Sequence, residues 1–207
     1  TTGLLSRYFQ DKSHWAPRLT KIAGGLGDFR DLTGRLKSSL TPDGEIRDEA
    51  SPTLAQIRSQ QRSCQNRIRE QLENIIRSAQ WRKILQEPII TMRNGRYVVP
   101  VKQENRGSVQ GIIHDQSASG ATIFLEPAGV VEQNNRLREL EQKEQREIDR
   151  ILKDLSTAIL KRADELLATL RTLAQLDFQI AKGHLALEMK GIAPIMKEQG
   201  QIIILQG

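Results

Sequence analysis

His114, Asp115, Ser117 and Ser119 bring the three residue types of a Ser-His-Asp relay into one short stretch. A relay needs the imidazole between hydroxyl and carboxylate, whereas successive residues of a strand point to opposite faces. His114 and Asp115 therefore do not line up without a sharp bend, and no Gly-x-Ser-x-Gly elbow is present. Ser117 to Gly120 reads instead as a turn held by Asp and Ser hydrogen bonds. Metal binding fares no better: His14, His114 and His184 are far apart, and none has a Cys or second His at ligand spacing. The carboxylate pairs Asp48-Glu49 and Asp164-Glu165 lie in highly charged helical sequence and read as solvated surface. Gly24-Gly25-Leu26-Gly27 fails the spacing of a phosphate loop, since no third spaced glycine or Lys-Ser/Thr pair follows, and reads as a loop between helices. The expected catalytic, cofactor-binding and metal-binding residues within the chain are therefore none.

Phosphate contact is the chemistry left. Arg96, Val98, Pro100 and Lys102 share one face of a strand by its period of two, with Arg93 and Arg106 in the neighbouring turns. Arg93, Arg96, Lys102 and Arg106 are the candidate nucleic-acid contacts. Glu87, Glu104, Asp115 and Glu126 cancel their charge locally, so binding here is expected to be weak unless charges segregate by face. Tyr97 and Phe124 are too few to make a stacking platform for single strands. A second basic stretch runs from Ser51 to Gln86, where Arg58, Arg62, Arg67, Arg69, Arg77, Arg82 and Lys83 face only Glu70 and Glu73. The excess is local and could approach phosphate, although a solvated helix face explains it equally.

The elements that must position these residues follow from spacing. Ser51-Pro52 starts a helix, since the hydroxyl can satisfy an orphan N–H and proline at the first helical position loses nothing. Leu54, Ile57, Cys64, Ile68, Leu72, Ile75 and Ala79 form a narrow apolar stripe, predicting a helix from Pro52 to about Gln86 that Pro88 stops. Four strands are expected at Ile89 to Met92, Tyr97 to Lys102, Ser108 to His114 and Ala121 to Glu126, with Asn94-Gly95 signalling a type I′ hairpin. They predict a small antiparallel meander. A second helix from about Pro127 to Leu170 carries Leu137, Leu140, Ile148, Ile151, Leu155, Ile159, Ala163, Leu166 and Leu170 on one side. Its nearly all-charged stretch from Glu141 to Glu147 is expected to weaken packing near the tip. More helix follows to about Lys190, then a strand at Gln201 to Leu205.

The expected fold class is mainly α: a helical core with a long antiparallel two-helix arm, capped by the β meander. The expected division is 1–50 helical core, 51–87 outgoing helix, 88–127 β tip, 128–170 returning helix and 171–207 core. Two helices of about 34 residues at 1.5 Å per residue predict an arm of roughly 50 Å. Composition agrees, with 38% hydrophobic, 27% charged and 4% aromatic residues favouring helices exposed over most of their circumference, and a formal net charge of +6. One cysteine, Cys64, excludes an internal disulfide, and with no charged-then-apolar leader the protein is expected to be cytoplasmic. No aliphatic run is long enough to span a bilayer, so no membrane partner is expected. The missing initiator Met and a strand-like run just before Gly207 suggest a fragment of a larger protein.

Several stretches are more specific than these patterns. Asp43-Gly44-Glu45-Ile46-Arg47-Asp48-Glu49-Ala50-Ser51-Pro52, Tyr97-Val98-Val99-Pro100-Val101-Lys102, His114-Asp115-Gln116-Ser117-Ala118-Ser119-Gly120-Ala121-Thr122 and Asn134-Asn135-x-Leu137-Arg138-Glu139-Leu140 together resemble the bacterial MutS-II family of MutS paralogues. The resemblance covers essentially the whole chain. It implies core, lever and clamp segments of a homodimeric ATPase with an Smr nuclease-like domain, whose partners are branched DNA, in recombination suppression, or the ribosome and its rRNA, in rescue. ATP and Mg would be cofactors of the parent only, because no Gly-x-x-x-x-Gly-Lys-Ser/Thr loop lies in this chain. The alternative is a non-catalytic coiled-coil arm that docks a protein or rRNA surface.

Overall fold

The computed structural model describes residues 2–192; the strand expected over 201–205 lies outside them. In chain order the helices are α1 (Thr2–Asp11), α2 (Pro17–Ala23), α3 (Arg30–Ser39), α4 (Pro52–Arg77), α5 (Ala79–Ile84), α6 (Ala128–Leu160) and α7 (Ala163–Glu188). Between α5 and α6 lie β1 (Thr91–Arg93), β2 (Arg96–Lys102), β3 (Gly111–Gln116) and β4 (Thr122–Pro127). Contacts divide the chain into one unit of Gly34–Thr157 and another formed by Thr1–Thr33 with Ala158–Gly207.

In the larger unit, α4 begins as its sequence dictates. Ser51 Oγ accepts from the Leu54 N–H at 3.0 Å, and Pro52 takes the first helical position. The same hydroxyl donates to Glu147 Oε1 on α6 at 2.7 Å. Farther along, Arg58 Nε donates to Glu144 at 2.7 Å, and Cys64 Sγ lies 3.3 Å from the Gln133 carbonyl. Numbers rise on α4 as they fall on α6, so the two helices are antiparallel, and the mainly α class with a small antiparallel sheet is the one observed.

Several boundaries differ from expectation. The outgoing helix does not continue to Gln86. Ser78 leaves helical geometry at ψ 140°, donates its N–H to Ile75, and accepts from Trp81 N–H at 3.3 Å, so it ends α4 and caps α5. The break returns the chain to the sheet: Trp81 packs on the main core, Leu85 bridges Val101, and the Gln86 N–H donates to the Pro100 carbonyl at 2.9 Å. The 26 residues of α4 span about 39 Å and the 33 of α6 about 50 Å. The returning helix also breaks, at Lys161-Arg162. There Arg162 lies 2.7 Å from Asp31 and 2.8 Å from Glu165, and stacks 4.5 Å over Phe29.

The charged stretch of α6 is not at the tip and does not weaken the pair. Glu144 and Glu147 lie opposite the first turns of α4, where Arg58, Gln61 and Ser51 bind them at 2.7 Å. Arg58 also donates to Asp48 at 2.6 Å and to the Ile46 carbonyl at 2.9 Å, closing the Leu40–Ile46 turn over the helix start. Beneath it Ile46, Leu54, Ile151 and Leu155 form a small core.

The sheet is antiparallel in the order β1-β2-β4-β3, not the sequential order of a meander. Burial explains the exchange. Strand β4 is largely covered and takes a central place, whereas β3 is mostly exposed and takes the edge. Asn94 at φ 51° and Gly95 at φ 74° form the expected two-residue turn, pairing Arg93 with Arg96. The sheet has no core of its own. Tyr97, Val99, Val101, Ile123 and Leu125 from the strands close one cluster with Cys64, Ile68 and Leu72 of α4 and Val130, Leu137 and Leu140 of α6.

The other unit has a smaller core of Phe9, Ala23 and Leu176, flanked by Leu5, Leu19, Ile22 and Leu26. The Gly24 to Gly27 cluster is a loop after α2; Gly27 N–H donates to Thr169 Oγ1 on α7 at 3.0 Å.

Glu147 makes the helix pair acid-sensitive. Hydrogen bonds from Arg150 and then Ser51 lower its carboxyl to about 2. A carboxyl depressed in the folded state stabilises that state fully above its unfolded value, and this stabilisation disappears as pH falls through the folded one. Thermal melts should therefore show a loss of stability between about pH 4.5 and 2 that is reduced in Glu147→Gln. Equal acid sensitivity in the variant would contradict the assignment.

Candidate nucleic-acid interface

The sheet is locked to α6 by a buried polar cluster. Glu126, at the end of β4, is wholly buried. An unpaired carboxylate there would cost several kcal/mol, yet Glu126 is met from three sides. His114 Nε2 lies 2.5 Å from Oε2, Asn134 Nδ2 donates to Oε1 at 2.7 Å, and Arg96 lies 3.4 Å away. Asn134 is itself fully engaged: its Nδ2 donates to the Tyr97 carbonyl at 3.1 Å and its Oδ1 accepts from the Tyr97 N–H at 3.2 Å. One amide thus pairs α6 to the backbone of β2 and to the carboxylate of β4.

Two backbone devices bring His114 into this cluster. The ladder between β3 and β4 shifts register between Ile113 and Asp115, a bulge at His114 that re-aims the imidazole. Its carbonyl accepts from Asn94 Nδ2 at 3.0 Å. At Gly111 the strands come so close that a Cβ would sit 2.2 Å from the Glu126 carbonyl oxygen. Only glycine fits there.

The four expected phosphate contacts divide into two pairs. Arg96 donates to Asn135 Oδ1 at 2.6 Å and leans on Glu126, so its charge serves the cluster. Arg93 lies 3.3 Å from Asp115 and 4.0 Å above the Phe124 ring. Lys102 and Arg106 make no ion pair among the described residues. The face shared by Arg96, Val98, Pro100 and Lys102 is not an open strip, because Val98 and Pro100 are buried between its ends.

The apparent relay residues are likewise separated. His114 faces Glu126, Asp115 faces Arg93, and Ser117 Oγ accepts from the Thr122 N–H at 3.1 Å within the turn. Among the described residues no group of three or more His, Cys, Asp or Glu could hold a metal, and no helix is long and apolar enough to cross a membrane.

Of the residues that converge on Glu126, His114 and Asn134 come from the stretches quoted for the resemblance, and Arg96 adjoins one of them. No family model matches the chain. Among curated proteins, it is 44% identical over 203 residues to Endonuclease MutS2 of Pelotomaculum thermopropionicum, covering 98% of this chain and 26% of that protein. Endonuclease MutS2 of Geobacillus sp. strain WCH70 is 47% identical over 190 residues, 92% of this chain and 24% of that protein. That of Ruminiclostridium cellulolyticum is 42% identical over 205 residues, 98% and 26% respectively. The chain belongs to the bacterial MutS2 family. It spans about a quarter of the length of these MutS2 relatives.

Within this MutS2 segment the quoted stretches have a physical meaning. Asn134-Asn135, His114, Tyr97 and the neighbouring Arg96 fasten the sheet to the helix pair. Asn134→Leu removes the bonds to Tyr97 and one to Glu126 while nearly keeping side-chain size, and should cost about 3–5 kcal/mol, as for a broken buried charge network. Gly111→Ala should cost about 1–3 kcal/mol through overpacking against immovable backbone. Urea denaturation reads both; a loss under about 1 kcal/mol for Asn134→Leu would show that the cluster is not what holds the sheet.

Proposed function

We propose that this segment is the lever and clamp region by which a MutS2 protein grips nucleic acid. The observation that supports it most is the continuous core from α4 and α6 into the sheet, which makes sheet and helix pair a single body able to transmit force. ATP and Mg, bound by domains beyond this chain in a homodimeric parent, would drive the motion. A rotation of roughly 10° acting through the helix pair moves its far end by about 7–9 Å, from helix lengths of about 39 and 50 Å. Branched DNA, in suppression of homologous recombination, is the substrate class we assign. Ribosomal RNA, in the splitting of stalled ribosomes, is the second. The nuclease chemistry named in the relatives belongs, on this reading, to an Smr-type domain of the parent, and the parent works in the cytoplasm.

At the tip, Lys102 and Arg106 are the phosphate contacts, while Arg93 and Arg96 shape the sheet that presents them. A second reading, a non-catalytic arm that docks a protein or rRNA surface, draws on a different observation. Strand β3 is an edge strand, and Ile112 and Ile113 on it are exposed at 47% and 36%.

Salt separates the two readings. Fluorescent branched DNA, duplex DNA and ribosomes titrated with the chain at two salt concentrations should show affinity that falls steeply with salt. Salt-insensitive binding would establish apolar docking in its place. Binding to ribosomes alone would move the function to rescue.

A further inference from the structure

Charge on the helix pair segregates by face. Between Pro52 and Arg69 α4 has no acidic residue. Two acids of α6 point to the face where Arg58 and Gln61 hold Glu144, and where Arg138 holds Glu141. The opposite face opens into a groove between the helices, in two parts that share Gln60. Arg67, Arg136, Lys143 and Arg146 line it and make no ion pair among the described residues. The one acid in the lining is Glu147, already satisfied by Arg150 and Ser51. Glu132 and Glu139 lie outside the lining.

We infer that this groove is a binding track for the sugar-phosphate backbone of a nucleic acid, separate from the sheet. Four unneutralised cations from two antiparallel helices repel one another, and a polyanion removes that cost. Arg136 and Arg150 are fourteen residues apart on α6, about 21 Å, the length of several successive phosphates. Gln56, Gln60, Gln133 and Ser63 add neutral donors of the kind that bind phosphate and sugar oxygens. An acidic protein helix fits less well, because Ile57 and Cys64 are the apolar lining residues and no aromatic anchor is present. Burial pushes the Cys64 thiol up, and the charges of Arg136 and Arg67, which line the same part of the groove, act against it. Their guanidinium charges therefore converge on the groove floor.

The inference rests on the proposal that the segment binds nucleic acid, and its test separates the two. Equilibrium titrations of duplex DNA and duplex RNA against the full chain across a salt series should give a log-log slope steeper than about −1.8, the limit for Lys102 and Arg106 alone. The double variant Arg136→Gln with Lys143→Gln, both exposed and checked for unchanged melting, should flatten the slope by about 1.8 and weaken binding about 30-fold at 0.15 M salt. The tip variant Lys102→Gln with Arg106→Gln is the control. Loss confined to the tip variant would overturn the groove and leave nucleic-acid binding in place. An unsubstituted chain that binds neither duplex, or only an acidic polypeptide, would overturn both. Comparable loss on DNA and RNA would assign the shared backbone as the ligand; loss on one alone would name that duplex.

Discussion

A buried carboxylate with three partners holds this structure together. A buried carboxyl group needs hydrogen-bonding partners, and those of Glu126 come from β2, β3 and α6. Each element therefore depends on the others: the imidazole needs the bulge in β3, the bulge carbonyl needs Asn94 in the hairpin turn, and the amide of Asn134 needs α6 at one rotation and one height. A purely apolar interface would tolerate small slips between sheet and helices. A polar network with directed hydrogen bonds penalises them, so it fixes the sheet on the helices at one position.

The same economy of charge runs down the helix pair. Carboxylates that could have disrupted a coiled-coil seam are bound across it. Glu144 joins Arg58 and Gln61, while Glu147 joins the hydroxyl that also caps α4. Polar groups thus fix the register of α4 against α6 where apolar residues are sparse, and the apolar clusters on either side supply the bulk of burial.

The hairpin at Asn94-Gly95, the cap at Ser51-Pro52, the antiparallel helix pair and the sheet itself were legible because each follows from local chemistry: positive φ, an orphan N–H, a repeat of three and four, an alternation of two. Legibility ended where distant residues decide the outcome. Ser78 breaks a helical pattern without proline or glycine, because Trp81 and Leu85 gain a core supplied by β2. Strand order followed two-sided burial rather than succession in the chain. Arg96 looked like a phosphate contact by alternation, but an acid thirty residues away claims it. One signal was available: a glutamate inside the apolar run Thr122-Ile-Phe-Leu-Glu126-Pro needs a partner, and the paired asparagines Asn134-Asn135 on the following helix are neutral donors within reach of it in sequence.

Charge cancellation along a sequence says little about a folded surface. The tip sums to zero: Asp115 and Glu126 are taken by Arg93 and Arg96, while Lys102, Arg106, Glu87 and Glu104 make no ion pair among the described residues. The helix pair behaves alike, with Asp48 taken by Arg58 and Arg62, and Glu144 by Arg58. In both places ion pairs bind one set of charges to one another and leave another set facing solvent, so where the charges sit, rather than how many there are, decides the local potential. A carboxylate drawn into a structural bond is held to one face, and on the helix pair this leaves the opposite face lined by cations.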